Sequence, residues 1–395
     1  MASRFKPAER LKHIKLSGIR RFFALAQEMP DVINLSVGEP DFTPPKHALE
    51  AGWRAAKEGK THYAPTNGIS ELREALAQKA YREYNLSYDP NSEILITVGG
   101  SEAIFLALIA LINPGDEVLI PNPGFVCYEP CVLLAGGVPV SVPLLEENGF
   151  KPSVDDVMSL ITEKSRVMIL NYPNNPTGAV LPRDEVAALA KIAVERDMVV
   201  ISDEVYEKII YDNADHHCAA TFRGMRERTL VTNSFSKTYA MTGLRVGFVY
   251  GPKELISPIW LVHQYTVACV DTLAQYIALA ALKGPQDFVK EMVQEFDRRR
   301  HLVYKRLDEI GGFTCILPKG AFYVFPKIKD FGMSSEDFAE FLIRSAHVAT
   351  VPGSSFGSYG NGNGYIRISY AAAYEQLEEA LNRIEKAVKT LRKTP

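Results

Sequence analysis

The apolar positions of this chain fall into short continuous runs separated by stretches of helical spacing. Seven runs between about residues 70 and 285 are rich in β-branched residues and too short for helices. They are Ile94 to Val98, Val118 to Pro121, Val138 to Val142, Val167 to Leu170, Met198 to Ser202, Thr229 to Thr232 and Val246 to Tyr250. Several are apolar throughout rather than alternating, as expected of strands covered on both faces, and stretches such as Arg183 to Arg196 can serve as helical crossovers. The pattern predicts an α/β core built on a mostly parallel, seven-stranded sheet with helices on both faces. Beyond it, a charged helical stretch opens at Pro285 and carries Arg298, Arg299 and Arg300. Strand-like Ala321 to Phe325, a helix from about Ser335 and the strand Tyr365 to Ser369 follow, predicting a smaller α+β unit. Glycines at 353, 357, 360, 362 and 364 predict a flexible loop rather than a linker, since an apolar strand resumes directly after them.

Composition narrows the function without naming it. A chain of 395 residues, 47% hydrophobic and 23% charged, is an ordinary soluble protein too large for one compact core. A net charge of -3, with basic residues spread along the chain, leaves no electrostatic footprint for nucleic acid or an anionic membrane. Met1 to Arg10 lacks the apolar stretch of a secretory signal, and no segment approaches ~20 consecutive apolar residues. Five scattered cysteines read as reduced thiols, so the expected setting is the cytoplasm and the expected partners are small molecules. No metal is expected. His216-His217-Cys218 and Cys127-x-x-x-Cys131 read as loop and helix-face residues, without H-E-x-x-H or paired C-x-x-C spacing. The turn Thr97 to Glu102 lacks the G-x-G-x-x-G spacing of a dinucleotide site.

Ligands of open α/β sheets collect outside the carboxyl ends of the strands, so residues just after each apolar run carry the most information. Gly99-Gly100-Ser101-Glu102 opens a helix where backbone N–H groups can cradle a phosphate, although paired glycines also serve plain tight turns. Phe125 can stack on a flat ring or simply fill the rim. Asn175, in Asn174-Asn175-Pro176-Thr177-Gly178, can donate to a phenolate oxygen or belong to an ordinary Asn-Pro turn. Asp203, followed three residues later by Tyr206, ends another run, where a carboxylate also suits a helix cap or a metal. Lys237 follows Ser234-Phe235-Ser236 and precedes Arg245 by eight residues. A lysine in a buried turn loses its proton readily and becomes nucleophilic. Arg367, inside an apolar strand, needs a partner, either a substrate carboxylate or an internal acid.

Taken in order, these segments resemble the fold-type-I, class I and II aminotransferases, the aspartate and aromatic aminotransferase group. The resemblance runs from Asn34-Leu35-Ser36-Val37-Gly38-Glu39-Pro40 through Tyr63-Ala64-Pro65 and Ser-Phe-Ser-Lys to Arg367. It implies pyridoxal 5'-phosphate held as a Schiff base by Lys237, which would also shuttle the substrate's Cα proton. Asp203 would keep the ring nitrogen protonated, and Asn175 and Tyr206 would bond the ring's phenolate oxygen. Gly100, Ser101, Ser234 and Arg245 would grip the phosphate, with Glu102 and Ser236 also counted as cofactor-binding. Phe125 would stack on the ring, and Arg367 would clamp the substrate carboxylate under the Gly38 backbone. Tyr63 would reach the neighbouring subunit's phosphate, implying a homodimer. Residues 46–288 would form the large domain and 289–395 the small one, completed by an arm over 1–45. With Ser101 where a lysine can stand in relatives, aromatic or broad amino-acid specificity with 2-oxoglutarate as acceptor is expected. Aspartate or alanine preference, and a β-lyase on the same scaffold, are the alternatives.

Overall fold

The computed structural model describes residues 6–14, 16, 18–29, 31–357 and 361–391. The short β1 (Ile33–Asn34) stands apart from the main sheet. That sheet comprises β2 (Ile94–Thr97), β3 (Glu117–Asn122), β4 (Val138–Leu145), β5 (Lys151–Pro152), β6 (Ser165–Asn171), β7 (Val199–Asp203), β8 (Thr229–Ser234) and β9 (Gly247–Tyr250). Its order is β2-β9-β8-β7-β6-β3-β4-β5. Neighbours from β8 to β4 pair parallel, while β9 runs antiparallel to both β8 and β2. The expected seven-stranded count is therefore corrected to eight: β5 pairs antiparallel with β4 across a tight turn, and two residues are too few to show any periodicity.

The continuous apolar runs now have a physical reason. Val118, Val167, Ile169 and Ile201 pack on one face with helices Gly99–Leu111 and Lys253–Thr266, whereas Leu119, Met168, Leu170 and Val200 pack on the other with helix Arg183–Glu195. Successive side chains of a strand point to opposite faces, and here both faces are dry. Toward the β2 edge, Ile94, Ile96, Phe248 and Tyr250 join helices Ser70–Tyr84 and Thr272–Lys283 in a further cluster.

A separate core gathers around helix Asp287–Ile310, which contributes Met292, Phe296, Val303 and Leu307. Its partners include β10 (Tyr323–Val324) and β13 (Ile366–Ser369), which pair antiparallel. β11 (Val348–Ala349) takes β1 as a parallel neighbour, and β12 (Val351–Pro352) pairs with β13. Leu35 belongs to this core, and its carbonyl accepts a 3.0 Å bond from Ser369 N, so an early segment is sewn to a late one. Arg299 reinforces that seam through Asp41 at 2.8 Å. Of the glycine-rich loop, Gly353–Phe356 forms a 3₁₀ turn, while residues 358–360 lie outside the described residues, as do 1–5. Among the described residues no helix is long and apolar enough to cross a membrane.

Candidate active site

Because β2, β3, β6, β7 and β8 run parallel, their carboxyl ends share one edge, and the reversed β9 enters at that edge through Gly247. A cavity of about 480 Å³ opens there, closed on its far side by the 37–39 loop, helix Gly18–Glu28, Tyr323 and Arg367. Gly38, Gly100, Ser101, Phe125, Asn175, Asp203, Tyr206, Ser234, Ser236, Lys237, Arg245 and Arg367 all line it. Twelve residues singled out in the sequence, from Gly38 to Arg367, thus share one chamber.

One end of the chamber is built for an anion. Helix Gly99–Leu111 begins here, and its first N–H groups have no intrahelical acceptor. A Cβ on Gly247 would stand 2.5 Å from Gly99 C and 2.7 Å from Gly100 N, so β9 passes the turn only as glycine. Ser234 Oγ accepts from Ser236 N at 3.1 Å and donates to Ser236 Oγ at 2.7 Å, setting two hydroxyls beside the turn. Arg245, held in the left-handed region at φ 54, presents its guanidinium against Gly99, where an added Cβ would meet Nη2 at 2.4 Å.

Glu102 stands in the first turn of the same helix, with its side chain turned away from the chamber. Its carboxylate accepts from Val98 N and contacts His263 Nδ1 at 3.2 Å, and it does not line the chamber. A carboxylate in the first helical turn is stabilised by the exposed N–H groups and would repel a second anion at the same terminus.

Lys237 sits on the single helical turn Phe235–Thr238, capped by Ser234, and its Nζ donates to Gly38 O. Burial pushes the amine down to about 8, with the positive charges of Arg367 and Arg245 acting in the same direction. At the end of β7, Asp203 is 6% exposed and is pushed up to about 6 by burial, despite a 2.7 Å bond from Tyr128 Oη and a 3.4 Å one from Val205 N. Behind it, Ser202 and His216 both bond Glu204 at 2.8 Å.

The other end holds Arg367, 1% exposed on β13. Nη1 donates to Asn175 Oδ1 at 2.9 Å and Nη2 to Ser36 O, leaving Asn175 Nδ2 available as a donor. The guanidinium lies 4.3 Å from the Tyr323 ring centroid and 4.9 Å from that of Phe356. No carboxylate pairs with it among the described residues, and Nε has no partner. A structural ion pair is therefore not what holds this arginine, and a buried uncompensated cation is a strong attractor for an anion. Tyr206 Oη lies 2.8 Å from Tyr323 Oη, and Phe125 meets Tyr128 edge-on at 5.8 Å.

Tyr63 is not brought to the chamber of its own chain and is 91% exposed. Conversely, Tyr128, Tyr323, Ile19, Arg20 and Phe23 were not singled out in the sequence. The first contacts Asp203 and the other four line the chamber. Arg20, on helix Gly18–Glu28, brings a cation to the chamber wall and has no acidic partner among the described residues.

Residues 30–384 match the family described as aminotransferase class I and II. The chain is 48% identical over 384 residues to an aspartate aminotransferase of Pyrococcus abyssi, covering 97% of this chain and 98% of that one. It is 47% identical, also over 384 residues and with the same coverage, to aromatic-amino-acid aminotransferase 2 of Thermococcus litoralis. The solved aromatic aminotransferase of Pyrococcus horikoshii OT3 has a TM-score of 0.89 and 47% identity, covering 95% of this chain and 99% of its own. Family, relatives and fold agree over nearly the whole length, and the chain belongs to the class I and II aminotransferases: it is a transaminase of fold type I, and its cofactor is pyridoxal 5'-phosphate.

Proposed function

We propose that this transaminase moves the amino group of an aromatic or broadly chosen L-amino acid to a 2-oxo acid such as 2-oxoglutarate, in two ping-pong half-reactions. The observation that carries the substrate class is the chamber wall. Ile19, Phe23, Ile104, Phe125 and Val126 offer apolar surface for a large side chain, with Arg20 as a further cation for the distal carboxylate of the acceptor. Relatives named for aspartate and for aromatic amino acids stand at nearly equal identity, which supports breadth. Arg20 also favours a second reading, an aspartate preference, and the assay below separates the two.

The residues fit the cofactor on their own chemistry: a cradle at Gly99-Gly100 that a Cβ on Gly247 would fill, an amine with a lowered pKa and a buried acid. When bound, pyridoxal 5'-phosphate supplies an electron sink for the bonds at the substrate's Cα and a carrier for the amino group. Gly100, Ser101, Ser234, Ser236 and Arg245 hold the phosphate, and Phe125 stacks on the ring. Asp203 holds a proton at the ring nitrogen as a buried ion pair. Asn175 Nδ2 and Tyr206 Oη would be the donors available to the ring oxygen. Lys237 would anchor the cofactor through its amine and would be the base placed to take the proton from the substrate's Cα. Arg367 binds the substrate carboxylate, with the Gly38 backbone above it.

The working unit in this proposal is a cytoplasmic homodimer. Tyr63, exposed and outside its own chamber, reaches the phosphate bound by a second copy. Residues 1–45 and 289–395 move as one body over the chamber, excluding water from the deprotonated substrate. The pairing of β1 with β11 supports their moving together. The deciding assay compares kcat/KM for phenylalanine, tyrosine, aspartate and alanine with 2-oxoglutarate as acceptor. Aspartate ahead by an order of magnitude would overturn the aromatic or broad assignment.

A further inference from the structure

Tyr323, which opens β10, is the side chain at which the catalytic phenol and the carboxylate-binding arginine meet. Its hydroxyl lies 2.8 Å from that of Tyr206, and the two rings stand edge to face with centroids 5.8 Å apart. The Arg367 guanidinium rests 4.3 Å from its ring centroid. The phenol is 1% exposed, and a Cβ on Gly38 would come within 1.8 Å of its oxygen. The loop whose carbonyl meets Lys237 is therefore glycine where this phenol needs room.

Burial raises the pKa of both phenols, so each keeps its proton, yet only one proton can be donated across a single O···O contact. Either oxygen can donate across this contact. The Arg367 cation bears on both phenols but rests on the Tyr323 ring and weighs more on that one, stabilising the partial negative charge that a donating oxygen acquires and favouring Tyr323 as the donor. With Tyr323 donating, the Tyr206 proton is left free for the chamber. A hydroxyl that accepts one hydrogen bond also donates another more strongly.

We infer that Tyr323 is a positioning residue for transamination: its hydroxyl donates to Tyr206 Oη and so directs the Tyr206 proton at the ring oxygen of the bound cofactor. Its ring is the shelf on which Arg367 is held for the substrate carboxylate. The inference rests on the roles proposed above for Tyr206 and Arg367. The two parts separate chemically, because phenylalanine keeps the shelf and loses the donor, whereas leucine loses both.

The test uses holoenzyme of Tyr323→Phe, Tyr323→Leu and Tyr206→Phe. The readouts are the pH midpoint of the cofactor's visible absorbance, kcat and KM for phenylalanine, and thermal unfolding of each variant without cofactor. Weaker donation to the ring oxygen favours the protonated form of the bound chromophore, so Tyr323→Phe should raise the midpoint by about half a unit or more. It should also lower kcat while leaving KM within about twofold, because the cation–π contact survives. Tyr323→Leu should raise KM several-fold as well. Should that variant unfold, the Tyr323→Phe spectrum still decides. If Tyr206→Phe moves the midpoint and Tyr323→Phe does not, the inference fails while the Tyr206 assignment stands. If neither moves it, both fail.

Discussion

Two side chains in the chamber carry charge where water would normally surround it. Without cofactor, the Asp203 carboxyl is raised from 3.8 to about 6 and the Lys237 amine lowered from 10.5 to about 8. The raised carboxyl contributes stability that is full below 3.8 and lost as pH climbs through 6. The lowered amine contributes stability that is full above 10.5 and lost as pH falls through 8. Between about pH 6 and 8 the empty fold therefore holds both groups in their disfavoured charged forms, and a cofactor that bonds one and pairs the other relieves both. The difference in melting temperature between loaded and empty protein should be widest in that window, and a pH-independent difference would contradict this account. Lys237→Ala should keep the fold and lose both the absorbance of covalently held cofactor and turnover. Normal turnover would refute its assigned role. Arg367→Lys should raise KM for every amino donor by roughly tenfold or more, since a point charge cannot form a two-pronged bond, and an unchanged KM would remove the clamp.

How much of this was readable beforehand differs by residue. Asp203, Asn175, Ser234 and Lys237 were legible because they follow apolar runs, and strand ends of an open sheet converge whatever their separation in sequence. Tyr128 and Tyr323 were not, since each matters through a partner 75 or 117 positions away and neither sits in a telling local pattern. The direction of the Glu102 carboxylate, turned back onto Val98 and His263, was not readable either, because spacing does not encode side-chain direction.

Among the elements, the strand-to-helix turn at Gly99 depends on an absent side chain at Gly247. Gly247→Ala would drive a methyl into the Gly99–Gly100 peptide, and backbone cannot swing away as a flexible side chain can. A loss of about 1–3 kcal/mol in stability and a fall in cofactor affinity are expected together. Stability lost with affinity unchanged would show that the turn does not shape the phosphate site. The runs that became β3, β6, β7 and β8 were legible as elements because both their faces are covered, whereas β5 was hidden by its length of two residues.

For the whole molecule, the proposed dimer makes a prediction that a monomeric site cannot meet. Tyr63→Ala and Lys237→Ala should each be impaired alone, yet refolding the two together should restore up to about a quarter of wild-type activity. Half the pairs would be mixed, and each mixed pair would own one intact site. Absence of recovery, with mixed pairs demonstrated by mass, would rule out sharing. Arg20→Gln should raise KM for 2-oxoglutarate by about tenfold while changing KM for phenylalanine by less than about threefold. Equal effects on both would remove Arg20 as the distal-carboxylate cation.

The helix bearing Arg20 buries Phe22 and Ala26, and it contributes Ile19, Arg20 and Phe23 to the chamber while lying far in sequence from the strand edge that bears the lysine and the acid. In the proposed reading, part of the substrate-facing wall, the cation at Arg20 included, therefore belongs to a different stretch of polypeptide from the lysine and the acid. On that reading, exchanging the helix Gly18–Glu28 alone changes one side of the substrate wall and leaves the lysine, the acid and the phosphate turn in place.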